Sequence, residues 1–320
     1  MSSTADLRRA GVSIWLDDLS RGDIVSGRLA ALITDRDVTG ITTNPTIFAT
    51  AVLQHPDAYA QQLDAVRRSG ASPREAAIAI VTDDVRSACD ILLPTHTATS
   101  GADGFVSIEV TPDAAHDVDA TLAEADQFRT LVDRPNVLVK IPSTAAGVHA
   151  LEEATARGFS INMTLLFGIP RYREVIAAYR TGLTRAATAG IDLGSIHSVA
   201  SFFVSRVDVE ADSRLAVVGT PAALALRGRV AVANARLAYA EYEASLRDPA
   251  RGGRSEPATP ALGLDRRQGS RHARHPLHRR PDSTGGGRHD AHHDTGGVLG
   301  PRPGAHGHRP RRLRGGPLRA

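Results

Sequence analysis

Six short, apolar, largely β-branched runs recur along the chain: Ile14–Asp18, Val38–Thr43, Phe105–Val110, Val137–Ile141, Ser160–Leu165 and Ser198–Val204. Each is followed by a stretch of helix length with its own start and stop signals. Asn44-Pro45 supplies an N-cap and a first-turn proline. Ser143 or Thr144 can cap a helix that stops at Gly158, and Pro170 opens another that ends near Gly190. Strand and helix alternating in this way predict an α/β fold built on a parallel sheet.

The position of polar residues separates an open sheet from a barrel. Successive strand side chains face opposite ways, so Val106, Ile108 and Val110 share one face and Phe105, Ser107 and Glu109 the other. Asp17, Lys140, Asn162 and Thr164 fall near the C-terminal ends of otherwise apolar strands. Polar groups converging from several strand ends on one mouth are the signature of a (β/α) barrel. No glycine-rich dinucleotide fingerprint follows the first strand and no GxxxxGK[ST] occurs, which argues against a nucleotide-binding sheet.

The net charge of +3 adds two unlike parts. Residues 1–250 carry 23 basic and 30 acidic side chains, whereas 251–320 carry 15 arginines and 5 acids. Residues 1–250 are read as one barrel domain, and about 250 residues suit that fold. Cys89, the single cysteine, excludes an internal disulfide and a cysteine-based metal site, and reads as a buried structural thiol. With no apolar leader and no membrane-length apolar run, a soluble, cytoplasmic protein without membrane contacts is expected.

Arginine occurs 37 times and lysine once, as Lys140 in VLVKIPST. Guanidinium stays protonated, so arginine cannot serve where a neutral, nucleophilic amine is required. Apolar surroundings disfavour the charged form of an amine and expose its lone pair to a carbonyl. A buried, salt-bridged structural lysine explains the position equally well. The companions at neighbouring strand ends, Asp17, Asn44, Glu109, Asn162 and Thr164, favour chemistry, because Schiff-base turnover needs an acid/base pair and hydroxyl-binding amides beside the amine.

GITTNPTIF (Gly40–Phe48) and LVKIPSTAAGVHALEEA (Leu138–Ala154) resemble the two signature segments of the transaldolases, and IWLDDLS, SIEV, INMTLLF and SFFVSR follow the family's order. The resemblance spans about residues 10–247. It implies a (β/α)8 TIM barrel of the class I aldolase type, with the last two strands missing or scrambled in this chain. It also implies transfer of a dihydroxyacetone unit between sugar phosphates in the pentose phosphate pathway, with no metal or organic cofactor. Carried over, Lys140 forms the imine, Asp17 takes the proton of the C4 hydroxyl, and Glu109 with a water on Thr164 shuttles protons. Asn44 and Asn162 hold substrate hydroxyls, Ser201 the dihydroxyacetone unit and Arg206 the phosphate. Blander readings stand beside these: Asn44 as a plain helix cap, Thr164 as a plain strand residue and Arg206 as a surface ion pair. A related fructose 6-phosphate aldolase and an inactive barrel remnant are the alternative functions.

Residues 251–320 contain no Phe, Trp, Tyr, Ile or Lys, a composition that predicts disorder. A nucleic-acid-binding arm and a metal site at HDAHHD (His289–Asp294) are conceivable, yet neither explains the loss of two barrel strands. A shifted reading frame does. Permitted codons for Ala261–Arg271, Arg279–Thr284 and Gly287–Ala291, read one base later, spell segments similar to the family's seventh- and eighth-strand regions, in order and at one offset. The gene's nucleotide sequence is therefore expected to contain those codons, and a codon set incompatible with all three segments would end the frameshift reading.

Overall fold

The computed structural model describes residues 3–247. The expected boundary at 250, the disorder and shifted frame of 251–320 and the His289–Asp294 cluster therefore lie outside the described residues. In chain order the elements are α1 (Ser3–Arg9), β1 (Ile14–Leu16), α2 (Arg21–Val25), α3 (Arg28–Arg36), β2 (Val38–Thr42), α4 (Pro45–Gln54), α5 (Pro56–Arg68), α6 (Pro73–Ala98) and β3 (Val106–Glu109). They continue with α7 (Val118–Val132), β4 (Val137–Pro142), α8 (Ala145–Ala156), β5 (Ile161–Leu166), α9 (Ile169–Thr188), β6 (Ser198–Phe202), α10 (Ser205–Val218), α11 (Pro221–Leu224) and α12 (Val230–Arg247).

All five strand pairings are parallel and run in sequence order, β1 through β6. Together with the helices between them these strands form six consecutive units of a (β/α)8 barrel. The six strands coincide with the six apolar runs. The main difference is at β1, which ends at Leu16, so Asp17 sits in the segment just beyond the strand. The capping signals act as read: Asn44 accepts from the Ile47 amide at 3.0 Å with Pro45 opening α4, and Thr144 accepts from Gly147 at 2.9 Å to open α8.

Strands β2 to β6 bury side chains on both faces. Val106, Ile108 and Val110 join Val139, Ile141, Ile161 and Met163 in the large core beneath the helices. Phe105, Leu138 and Val199 instead form a separate apolar layer with Trp15 on the other, inner face. That layer needs Gly40: a Cβ there would lie 2.4 Å from the Trp15 ring, so only glycine lets the indole lie across β2. Cys89 is fully buried in α6, and burial pushes its thiol well above the usual range.

A buried polar network ties the segment after β1 to the helices. Arg21 Nε donates to Asp84 at 2.7 Å, the Tyr59 hydroxyl donates to the other carboxylate oxygen at 3.1 Å, and the Arg21 amide donates to the Tyr59 oxygen at 3.1 Å. Burial raises the Tyr59 pKa to about 12, which keeps the phenol a donor.

The last helices differ from the rest. α9 buries Tyr172, Val175 and Tyr179, whereas α10 buries no residue, and Val217, Val218 and Leu237 are exposed on α10 and α12. Among the described residues no helix is long and apolar enough to cross a membrane.

The close approach beneath the lysine-bearing strand yields a stability prediction. A Cβ on Gly147 would lie 1.9 Å from the Pro142 carbonyl oxygen, a backbone atom at the end of β4. Gly147→Ala is expected to destabilise the protein by about 1–3 kcal/mol, read as a lower urea midpoint; an unchanged midpoint would show that α8 is free to shift.

Candidate active site

Parallel register alone sets three candidate side chains in a row. Glu109 of β3 pairs with Lys140 of β4, which pairs with Asn162 of β5. The same parity that puts Phe105 and Leu138 in the inner apolar layer puts Ser107, Glu109, Lys140, Asn162 and Ser201 on the inner face above it.

Lys140 is 5% exposed, and its environment compensates the burial. Its Nζ donates to the Thr43 carbonyl at 2.9 Å, reaching across β3 to the end of β2, and lies 3.3 Å from Glu109 Oε2. Burial is the largest influence on Glu109 and raises its pKa above the ordinary carboxylate value. The positive charges of Lys140 and Arg206 oppose that rise, and the negative charge of Asp17 adds to it. Asp17 and Arg206, far apart in sequence, are thus both close enough to act on one carboxyl.

Asn162 is fully buried with its amide oriented at both ends. Nδ2 donates to Ser107 Oγ at 2.9 Å, and Oδ1 accepts from Ser201 Oγ at 2.8 Å. Thr164 lies two residues on, paired with Pro142. Its buried hydroxyl has no hydrogen-bond partner among the described residues, and the same holds for Thr42. A buried polar atom without a partner costs about 1–3 kcal/mol, and Gln62, Asn136 and Thr155 carry such atoms away from this row. β5 is irregular here: its register against β6 shifts between Met163 and Leu166, and Leu165 adopts φ 58°. A non-glycine residue in the left-handed region is strained, and such strain concentrates where a bulge re-aims side chains.

Arg206 is exposed on the first turn of α10 and stacks 4.5 Å over the Phe203 ring, which in turn stacks on Phe167 with centroids 5.1 Å apart. Asn44 is only partly buried and uses its side-chain oxygen as the cap of α4.

The eight sequence candidates are therefore met as follows. Glu109, Lys140, Asn162 and Ser201 lie on one face, linked by register and contacts. Asp17 and Arg206 are coupled to them through Glu109, Thr164 follows Asn162 on its strand, and Asn44 adjoins the carbonyl that holds Lys140. Sequence reasoning missed Thr42, Thr43 and Ser107. Strand alternation already put Ser107 on the Glu109 face, and the same alternation from Gly40 would have reached Thr42. Thr43 acts on Lys140 through a backbone carbonyl, which no side-chain pattern reveals.

The family model described as transaldolase/fructose-6-phosphate aldolase matches residues 14–250. The chain belongs to this family. Transaldolase 1 of Streptomyces avermitilis is 57% identical over 233 residues, which cover 73% of this chain and 61% of that protein. Transaldolases of Kocuria rhizophila and Mycolicibacterium smegmatis are 53% and 52% identical, over 66% and 64% of their lengths. The chain thus spans about 61% of the length of the first of these curated relatives. The matched part of this transaldolase/fructose-6-phosphate aldolase family member contains every candidate residue from Asp17 to Arg206.

The raised Glu109 pKa makes a signed prediction. A carboxyl whose folded-state pKa exceeds its unfolded value contributes its full stability at low pH and loses it as pH rises through the folded value. Glu109→Gln removes that titration, so the variant is expected to gain stability relative to the parent as pH rises from the ordinary carboxylate range through the raised folded-state value. Urea unfolding across the range measures the difference, and a constant difference would mean that the carboxyl is not shifted.

Proposed function

We propose that the chain catalyses transaldol transfer through a Schiff base on Lys140. The observation that carries this reading is the placement of the chain's single lysine, buried on the inner face of the sheet within reach of Glu109. An amine in that setting has an acid/base partner at hand for the proton transfers that imine chemistry requires.

In the proposed cycle neutral Lys140 attacks the C2 carbonyl of a ketose phosphate, sedoheptulose 7-phosphate or fructose 6-phosphate. Glu109 donates a proton to the departing C2 oxygen, which leaves as water and gives a protonated imine. Asp17 removes the proton of the C4 hydroxyl, the C3–C4 bond breaks into the imine, and an aldose phosphate departs. The remaining enamine adds through C3 to an acceptor aldehyde, glyceraldehyde 3-phosphate or erythrose 4-phosphate, and water hydrolyses the new imine. Thr164, with its unpartnered hydroxyl, holds that water. Asn162, Ser201 and Asn44 hold donor hydroxyls, and the Arg206 guanidinium, a planar fork suited to phosphate, binds the phosphoryl group. No metal or organic cofactor enters. The setting is the cytoplasm and the pentose phosphate pathway.

The family description also names fructose-6-phosphate aldolase, a reaction in which the three-carbon unit leaves as free dihydroxyacetone. Adding an aldose phosphate acceptor separates the two: transfer yields a new ketose phosphate, whereas lysis leaves the acceptor unchanged.

Borohydride reduction in the presence of fructose 6-phosphate, followed by peptide mass mapping, is expected to label the peptide containing Lys140. Lys140→Arg is expected to abolish that label, because guanidinium offers no neutral amine. A parent protein that takes no label at Lys140 refutes the Schiff-base reading.

A further inference from the structure

We infer that Thr43 is a positioning residue for Lys140, acting through its backbone carbonyl, with its own hydroxyl fixing that carbonyl. The inference rests on Lys140 being the imine-forming amine. Lysine has a long, flexible stem, and its Nζ here is held by two acceptors on different strands: the Thr43 carbonyl oxygen at 2.9 Å and Glu109 Oε2 at 3.3 Å. In the neutral amine, two tetrahedral positions carry N–H bonds and the third carries the lone pair. Two donors engaged by Thr43 and Glu109 leave the lone pair directed at neither, free for an approaching carbonyl.

The carbonyl itself is anchored on both sides. Thr43 is fully buried, and its Oγ1 donates to the Ser107 carbonyl of β3 at 2.6 Å. The next residue, Asn44, is fixed as the cap of α4. Ser107 extends the brace across the sheet, since its Oγ accepts from Asn162 Nδ2, whose amide oxygen accepts from Ser201. One chain of hydrogen bonds thus links the turn after β2 to β3, β5 and β6, around the strand that carries Lys140. Threonine is suited to the corner because it supplies a buried donor and a compact β-branched shape together.

The test compares the full-length parent with Thr43→Val, which keeps the shape and loses the hydroxyl, and Thr43→Ser, which keeps the hydroxyl. Thr43→Ala provides a second variant without the hydroxyl. The rate of borohydride-trapped adduct formation with fructose 6-phosphate is measured against substrate concentration. Thr43→Val and Thr43→Ala are expected to slow maximal trapping about tenfold, with a smaller change in half-saturating concentration. Thr43→Ser should retain the parent's rate and half-saturating concentration.

A Thr43→Val variant with the parent's maximal trapping rate overturns the inference, as does a Thr43→Ser variant equally impaired. Loss of the native circular dichroism spectrum in both hydroxyl-less variants would also overturn it, assigning the hydroxyl to the fold. If the parent itself forms no adduct at Lys140, the failure lies in the Schiff-base reading, and the inference falls with it.

Discussion

A buried amine without compensation is unstable, and the inner face of this sheet is organised around compensating one. Lys140 is withdrawn from water on a strand that is otherwise apolar, and it meets a carbonyl on one side and a carboxyl on the other. Neither acceptor is close in sequence. Thr43 arrives from the end of β2, and Glu109 lies opposite because β3 and β4 run parallel in a register that pairs them. The same register places Asn162 on the far side. A slip of one residue in either pairing would turn a member of this row towards the helices. Packing of the two apolar layers therefore fixes the polar row between them.

The inner apolar layer of Trp15, Phe105, Leu138 and Val199 closes the base beneath those polar groups, and the bulk of Trp15 is admitted only by Gly40. Above it, burial acts on the titratable groups in the expected direction: the Glu109 carboxyl is pushed up, and the opposing charges of Lys140 and Arg206 limit the rise. A carboxyl held in this balance can exchange a proton more readily than one fully ionised on the surface. Strain at Leu165 and the unpartnered hydroxyls of Thr42 and Thr164 gather at the same end of the sheet.

Six barrel units also have a consequence at the periphery. Among the described residues β1 pairs only with β2 and β6 only with β5, so the sheet has two edges. The helices after β6 carry exposed valines and leucines, in contrast to the well-buried α9. The first of the relatives extends well beyond the shared segment. A further strand and helix is the element that covers such an edge and such a helix face in a closed barrel.

Much of this was readable from the chain. The six strands, their parallel arrangement, the caps at Asn44 and Thr144 and the two faces of β3 follow from local patterns of hydrophobicity and turn chemistry, which act over a few residues. The single lysine in an apolar strand marked the candidate site for the same reason. Tertiary structure decided which groups meet. The pairing of Glu109 with Lys140, the coupling of Asp17 and Arg206 to one carboxyl, and the role of the Thr43 carbonyl depend on strand register and on backbone atoms that every residue shares. Side-chain identity cannot encode either one locally, because both arise only when distant strands pack.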